Sequence, residues 1–145
     1  MSATNSAETA LLSLIFENSN FANVGDATGL RGSSTAGSLY FSLHTSDPGE
    51  AGDQTTNEIA YTDYARVAVA RSTVGFTVSG NSVSPDAAIT FPTGSGGSGT
   101  ATHFGVGTAS SGAGVLLFKG AISPNIVCGN GVTPQLTTAT AITCD

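Results

Sequence analysis

The feature that most constrains the fold is a period-two alternation of apolar and polar residues, which begins at Leu39. In the run 39–45, leucine, phenylalanine and Thr45 alternate with tyrosine, serine and histidine, so one face is apolar and the other is polar. A half-buried antiparallel strand requires this pattern. Similar short runs follow, separated by Gly and Pro: 65–69, 75–79, 88–91, 101–107, 114–122 and 137–143. The alternation predicts strands from residue 39 to residue 143.

One segment, near the N-terminus, has the period of an α-helix. Asn5 and Glu8 have the spacing of a capping box. Three apolar residues follow with three-and-four spacing: Leu11, Leu14 and Ile15. We predict a helix over about residues 7–18 and, after it, a polar, Gly-rich loop over about residues 19–38. A loop of that length is expected to pack against a partner or to wrap the domain itself.

Length and composition complete the fold prediction. Of the 145 residues, 10% are charged, against about 25% in an average soluble domain, and 19 are Gly. Such a chain is neither a charged disordered tail nor a helical bundle. We predict one domain over residues 1–145: an all-β, jelly-roll-like antiparallel β-sandwich with one short N-terminal α-helix.

The charge distribution excludes one class of partner. The net charge is −6, and the four basic side chains are scattered without basic neighbours: Arg31, Arg66, Arg71 and Lys119. Neutralising a phosphate backbone takes a cluster of cations, so nucleic acid is not expected as a partner.

No segment has the pattern of a membrane or export signal. The longest apolar run, residues 10–16, is interrupted by Ser13 and is too short to span a bilayer. Glu8 precedes this run and no Lys or Arg does, which argues against a signal peptide. We expect no membrane partner and a product made in the cytoplasm.

Motifs for catalysis or cofactor binding are weak. Gly94, Gly96 and Gly99 fit the spacing G-x-G-x-x-G, but a predicted strand follows them where a dinucleotide site needs a helix. We therefore interpret residues 94–99 as a flexible loop. The serines occur in no G-x-S-x-G elbow that would activate one of them. The sequence predicts neither an enzyme nor a cofactor.

Metal-ligating residue types do not occur with a ligand spacing. His44 and His103 lie in separate predicted strands, and two cysteines, Cys128 and Cys144, cannot form a zinc site alone. We predict two reduced thiols, with a disulfide left as the alternative. Three carboxylates stand three residues apart: Asp47, Glu50 and Asp53. They lack the spacing of an EF-hand, so we predict a solvated loop rather than a calcium site.

Two arginines flank the run Val-Ala-Val-Ala at residues 67–70. Arg66 and Arg71 fall on opposite faces of a regular strand, so one of them points toward the core or marks a bulge. Two interpretations remain: an internal ion pair with Asp63 or Glu58, or a contact with an acidic partner. The ion pair is the favoured one because the chain is rich in carboxylates.

Five runs, taken in order, resemble a family of small tailed-bacteriophage virion proteins: 7–17, 38–52, 61–67, 88–92 and 102–107. The most specific parts are Leu-His-Thr-Ser-Asp-Pro at residues 43–48 and Tyr-Ala-Arg at residues 64–66. Members are often labelled tail or tail-fibre proteins. Those described structurally resemble capsid cement, or decoration, proteins with a jelly-roll fold.

The resemblance implies a non-enzymatic structural protein of the virion, made in the host bacterial cytoplasm. In the first hypothesis it is a cement protein on the outer capsid surface, which binds the major capsid protein and stabilises contacts between its subunits. The alternative is a tail or tail-fibre component involved in host-surface attachment. A homo-oligomer, dimer or trimer, is expected because lattice sites lie on symmetry axes.

The residues expected to contact a partner come from two places that the sequence predicts to be exposed. One is the long Gly-rich loop, and the other is the polar face of the strands. The candidates are Arg31, Tyr40, His44 and Arg66.

Overall fold

The computed structural model describes residues 2–144 and divides them into two compact units. Unit 1 comprises residues 2–38, 70–88 and 137–144, and unit 2 comprises Leu39–Val69 and Ile89–Leu136. The expectation of a single domain over residues 1–145 stays a prediction.

The described residues contain one helix, α1 (Asn5–Phe16), and nine strands. In chain order the strands are β1 (Ser38–His44), β2 (Val67–Ala70), β3 (Phe76–Ser79), β4 (Ser82–Pro85), β5 (Ile89–Thr90), β6 (Ser98–Gly107), β7 (Leu116–Gly129), β8 (Gln135–Leu136) and β9 (Ile142–Thr143). The all-β class with antiparallel sheets and one short N-terminal helix is confirmed, and it is consistent with a β-sandwich.

Helix α1 begins and ends about two residues earlier than predicted. Thr4 is the N-cap, and its carbonyl oxygen accepts hydrogen bonds from the backbone N–H groups of Ala7 and Glu8. The predicted capping box is wrong, because Asn5 lies inside the helix and the cap makes no side-chain hydrogen bond.

The buried face of α1 also differs from the predicted stripe. Leu12 and Phe16 are fully buried, whereas Leu11 is exposed. The i, i+4 pair Leu12 and Phe16 points toward β3 and β4, and the Phe16 ring meets Phe76 edge-on with centroids 5.0 Å apart. The predicted residues Leu11, Leu14 and Ile15 do have three-and-four spacing, but they lie on the face of the helix next to the buried one.

Unit 1 completes its fold with a three-stranded sheet in the order β3-β4-β9. Strands β3 and β4 form a hairpin with Gly80-Asn81 at its turn. Its backbone has φ +61° at Gly80, a conformation that glycine adopts without steric cost.

Unit 2 contains a four-stranded sheet in the order β2-β1-β6-β7 and a two-stranded sheet of β5 and β8. Two end residues of the larger sheet, Ser38 of β1 and Ala70 of β2, belong to unit 1. Strand β6 pairs with β1 on one side and β7 on the other, both antiparallel. The stacked rings of Phe41 and Phe104 lie in the core of this unit. Pro124, expected between strands or at a strand end, lies inside β7, which is tolerated because β7 is an edge strand.

The Gly-rich run 94–99 is not a free loop. Gly94 forms a bridge with Asn130, Gly96 forms a bridge with Thr62, and Ser98 is the first residue of β6. A Cβ atom on Gly94 would lie 2.3 Å from the carbonyl oxygen of Gly129. The glycines therefore permit close backbone contact, and the interpretation of this run as flexible is wrong.

Candidate functional site

His44, predicted on an exposed polar face, is fully buried. Its Nδ1 atom lies 2.8 Å from the carbonyl oxygen of Thr56 and its Nε2 atom lies 2.8 Å from Ser42 Oγ. A carbonyl oxygen only accepts, so Nδ1 carries the proton and Nε2 accepts the Ser42 hydroxyl proton. Burial lowers the pKa of His44, which favours this neutral form.

The expectation of exposure is wrong for His44 because β1 is an inner strand of its sheet, between β2 and β6, and both of its faces are covered. Ser42 is fully buried as well. The pair has the hydrogen bond of a nucleophile and its base, but both partners are closed off from solvent.

Arg66 is held by an internal ion pair, the interpretation that the sequence analysis favoured. Its Nε and Nη2 atoms donate to the two carboxylate oxygens of Glu58 at 2.7 and 2.8 Å. Only 3% of the Arg66 side chain and 16% of the Glu58 side chain are exposed. The expectation that Arg66 lies exposed is therefore wrong, because its guanidinium is turned inward to bind both carboxylate oxygens of Glu58 and two backbone carbonyl groups.

Tyr64 joins the same network. Its hydroxyl donates to Glu58 Oε1 at 2.9 Å and accepts the backbone N–H of Leu43 at 3.0 Å. Burial raises the pKa of Tyr64 far above its usual range, so the hydroxyl keeps its proton. The network fixes β1 to the segment that precedes β2.

Arg66 and Gln54 together hold the loop of residues 108–115. Arg66 donates to the carbonyl oxygens of Ala109 at 2.9 Å and Gly112 at 2.8 Å. The side chain of buried Gln54 accepts the Ala109 N–H through Oε1 at 2.9 Å. The backbone N–H of Gln54 donates to the Ala113 carbonyl oxygen at 2.9 Å. Sequence reasoning missed Gln54, which has no signal in the pattern.

Arg71 acts on helix α1. Its guanidinium donates to the carbonyl oxygens of Leu14 at 2.8 Å, Ile15 at 2.6 Å and Ala36 at 3.0 Å. Carbonyl groups in the last turn of a helix lack partners within the helix and carry partial negative charge, so a cation there is stabilising. This role was also missed, since it joins segments far apart in sequence.

The other two candidates remain accessible. Arg31 is exposed in the loop after α1, and Tyr40 is partly exposed on β1, opposite Gly107 of β6. Their role as partner contacts stays a prediction.

The carboxylates of residues 47–53 do not converge. Lys119 Nζ lies 3.0 Å from Asp47 and 3.2 Å from Glu50, whereas Asp53 accepts hydrogen bonds from Thr55. The hydrogen bond from the Gly49 N–H, and after it the one from Lys119, lowers the pKa of Asp47, and the hydrogen bonds from Thr55 lower the pKa of Asp53. Across residues 2–144 no three His, Cys, Asp or Glu side chains are grouped as metal ligands. Cys128 and Cys144 are both free thiols, and Cys128 is buried.

The comparison with protein families concerns almost the whole chain and not one site. A family model described as Podophage GP4 fiber I protein gp80 matches residues 2–142. The chain belongs to this family. As a member it is a structural protein of a tailed bacteriophage. No curated protein matches the chain significantly. In the described part of the chain, no helix is long and apolar enough to cross a membrane.

The structure shows what residues of the two most specific runs do. In the run 43–48, Leu43, His44 and Pro48 are buried, and in the run 64–66, Tyr64 and Arg66 bind Glu58. These residues contribute to the fold of unit 2.

Proposed function

We propose that this chain is a non-enzymatic structural component of a podophage tail fibre. The observation that carries the proposal is the match of residues 2–142 to a family whose description names a fibre protein. A match over nearly the whole chain concerns the entire fold and not a shared module.

The arrangement of reactive side chains supports a structural role. Ser42 and His44 are buried and bonded to each other, so no substrate reaches the hydroxyl. Arg66 and Glu58 satisfy each other. These groups hold backbone segments together, which is what a protein under mechanical load in a virion needs.

A capsid cement protein is the second candidate. It is supported by the resemblance of the chain, most specifically of the runs 43–48 and 64–66, to a tailed-phage virion family whose structurally described members resemble decoration proteins. Its partner would be the major capsid protein on the outer capsid surface. The description of the matching family names a fibre protein, so the fibre proposal comes first.

The test is the copy number and position of the chain in purified virions. Quantitative mass spectrometry gives the ratio of this chain to the major capsid protein, and electron cryo-microscopy of the same particles gives the position. A few copies per virion, with density at the tail, is the expected result. Hundreds of copies spread over the head would overturn the fibre proposal in favour of cement.

A further inference from the structure

The loop after helix α1 is built as a rigid projection. We call residues 18–33 the docking loop. At its base, Asn18 accepts the Ser33 N–H at 2.6 Å and donates to the Ser33 carbonyl oxygen at 2.9 Å, and Asn20 accepts the Gly32 N–H at 3.0 Å. Phe21 and Leu30 exchange two backbone hydrogen bonds of 2.8 and 2.9 Å. A partner would therefore meet a loop that is already ordered, which lowers the entropic cost of binding.

The docking loop exposes apolar side chains beside a cation. Val24 is 42% exposed and Leu30 is 47% exposed, and Arg31 follows directly. Apolar groups next to an arginine are typical of interface centres.

Arg31 differs from the other basic side chains of the protein. Arg66 binds Glu58, Arg71 binds backbone carbonyl groups, and Lys119 binds two carboxylates. Among residues 2–144, Arg31 is the basic side chain that forms neither a hydrogen bond nor an ion pair. Its charge is available to a partner that presents a carboxylate.

Unit 2 presents a surface of the matching kind. We call the groove between residues 49–52 and residues 116–119 the acidic groove, and its volume is about 300 Å³. Exposed Leu117 is among its lining residues, and the Glu50 side chain, also in the lining, is 94% exposed. Lys119 is shared by Asp47 and Glu50, so one negative charge remains there.

We propose that the docking loop of one copy of the chain binds the acidic groove of a second copy. Arg31 faces Glu50, and Leu30 and Val24 cover Leu117. Because the two surfaces differ, the contact either forms twice in a closed two-fold dimer or repeats head-to-tail in a ring or a filament. The proposal does not rest on the tail-fibre assignment, because repeated copies serve a fibre or a capsid lattice equally.

The experiment is sedimentation velocity of the purified full chain over rising concentration, at an ionic strength of about 0.15 M where long-range repulsion between acidic copies is screened. Wild-type chains are expected to self-associate. Arg31→Glu or Glu50→Arg, each of which places like charges opposite each other, should weaken association at least about tenfold. The double variant, which exchanges the two charges, should restore association to within about threefold of wild type.

Matched controls separate the contact from general effects of charge and hydrophobicity. Asp86→Arg makes the same charge change as Glu50→Arg on an exposed residue of unit 1 and should leave association unchanged. Leu30→Ala should weaken it, whereas Leu11→Ala, at a leucine 37% exposed on α1, should not. Circular dichroism verifies that each variant is folded.

A monomer at every concentration would overturn the proposal. So would association that the exchanged charges fail to restore, or that Asp86→Arg weakens as much as Glu50→Arg does. Binding of the docking loop to another virion protein without self-association would also overturn it. None of these results bears on the copy number per virion, so the two proposals fail separately.

Discussion

At the scale of single residues, the buried ion pair between Arg66 and Glu58 is the most consequential contact in unit 2. Arg66 contributes four hydrogen bonds, two to Glu58 and two to the loop of residues 108–115. Removing one partner of such a pair leaves a charge without compensation in a poorly solvated place.

We therefore expect Arg66→Ala to lower the free energy of unfolding by about 3 kcal/mol, the lower end of the range for buried pairs because Glu58 keeps some contact with water. Lys119→Ala removes a cation from two exposed carboxylates and should cost much less than Arg66→Ala, because solvent screens an exposed ion pair. Urea denaturation of both variants measures the difference. Equal losses would contradict the assignment of Arg66 as a buried structural cation.

The sequence identified the residues of this network but not their surroundings. The alternation in residues 39–44 predicts a strand, and β1 is there. Alternation reports that one face is polar, and it does not report whether another segment packs on that face, as the segment containing Thr56 does on His44. His44 and Ser42 lie on the polar face and are buried, because each satisfies the other and Thr56 supplies the remaining acceptor. Pairing between distant segments decides burial here.

At the scale of elements, Arg71 connects helix α1 to the rest of unit 1. We expect Arg71→Ala to cost about 2–3 kcal/mol, because three carbonyl groups lose a charged donor. The stability of Arg71→Lys should lie between those of Arg71→Ala and wild type. An ammonium group keeps the charge, but it cannot reproduce the planar fork of hydrogen bonds. Arg31→Ala is the matched control: it removes an arginine without internal partners and should change stability by less than about 0.5 kcal/mol. Thermal unfolding, followed by circular dichroism, measures the stability of the three variants. A loss of stability in Arg31→Ala as large as that in Arg71→Ala would refute the role of Arg71 in holding helix α1.

The Gly-rich run 94–99 provides a second prediction at this scale. Gly94→Ala should lower the free energy of unfolding by about 2 kcal/mol or more, because its Cβ would meet the Gly129 backbone. At Gly96 the nearest atom to an added Cβ is the Thr62 hydroxyl oxygen at 3.2 Å, a contact that a small shift relieves. Gly96→Ala should therefore cost less than Gly94→Ala. Urea denaturation measures both losses. If both substitutions leave the free energy of unfolding almost unchanged, the run is a loose loop and the close backbone contact at Gly94 is wrong.

At the scale of the whole molecule, the fold class and the family resemblance could be predicted from the sequence, but the division into two units could not. Segments of unit 1 come from the beginning, middle and end of the chain. Local patterns carry no record of such distant pairing. The same limit hid Gln54 and Arg71, whose bonds join residues 55 and 57 positions apart. It did not hide the hairpin of β3 and β4, whose turn is local.

The stability of the molecule should depend on pH through His44. Burial lowers its pKa in the folded state below the usual 6.5, so above pH 6.5 the residue is neutral in both states and stability is complete. As the pH falls below 6.5, the unfolded chain binds the proton more readily, and the free energy of unfolding falls by up to about 1.4 kcal/mol per pH unit.

The carboxylates act in a separate range of pH. Hydrogen bonds lower the pKa values of Asp26, Asp47 and Asp53 from 3.8, so their contribution is lost only as the pH falls below that value. Urea denaturation between about pH 7 and pH 5 therefore reports on histidine. His44→Gln should flatten the dependence in this window, even if it lowers stability at every pH. An unchanged slope in His44→Gln would mean that His44 is not the group whose burial links the fold to pH.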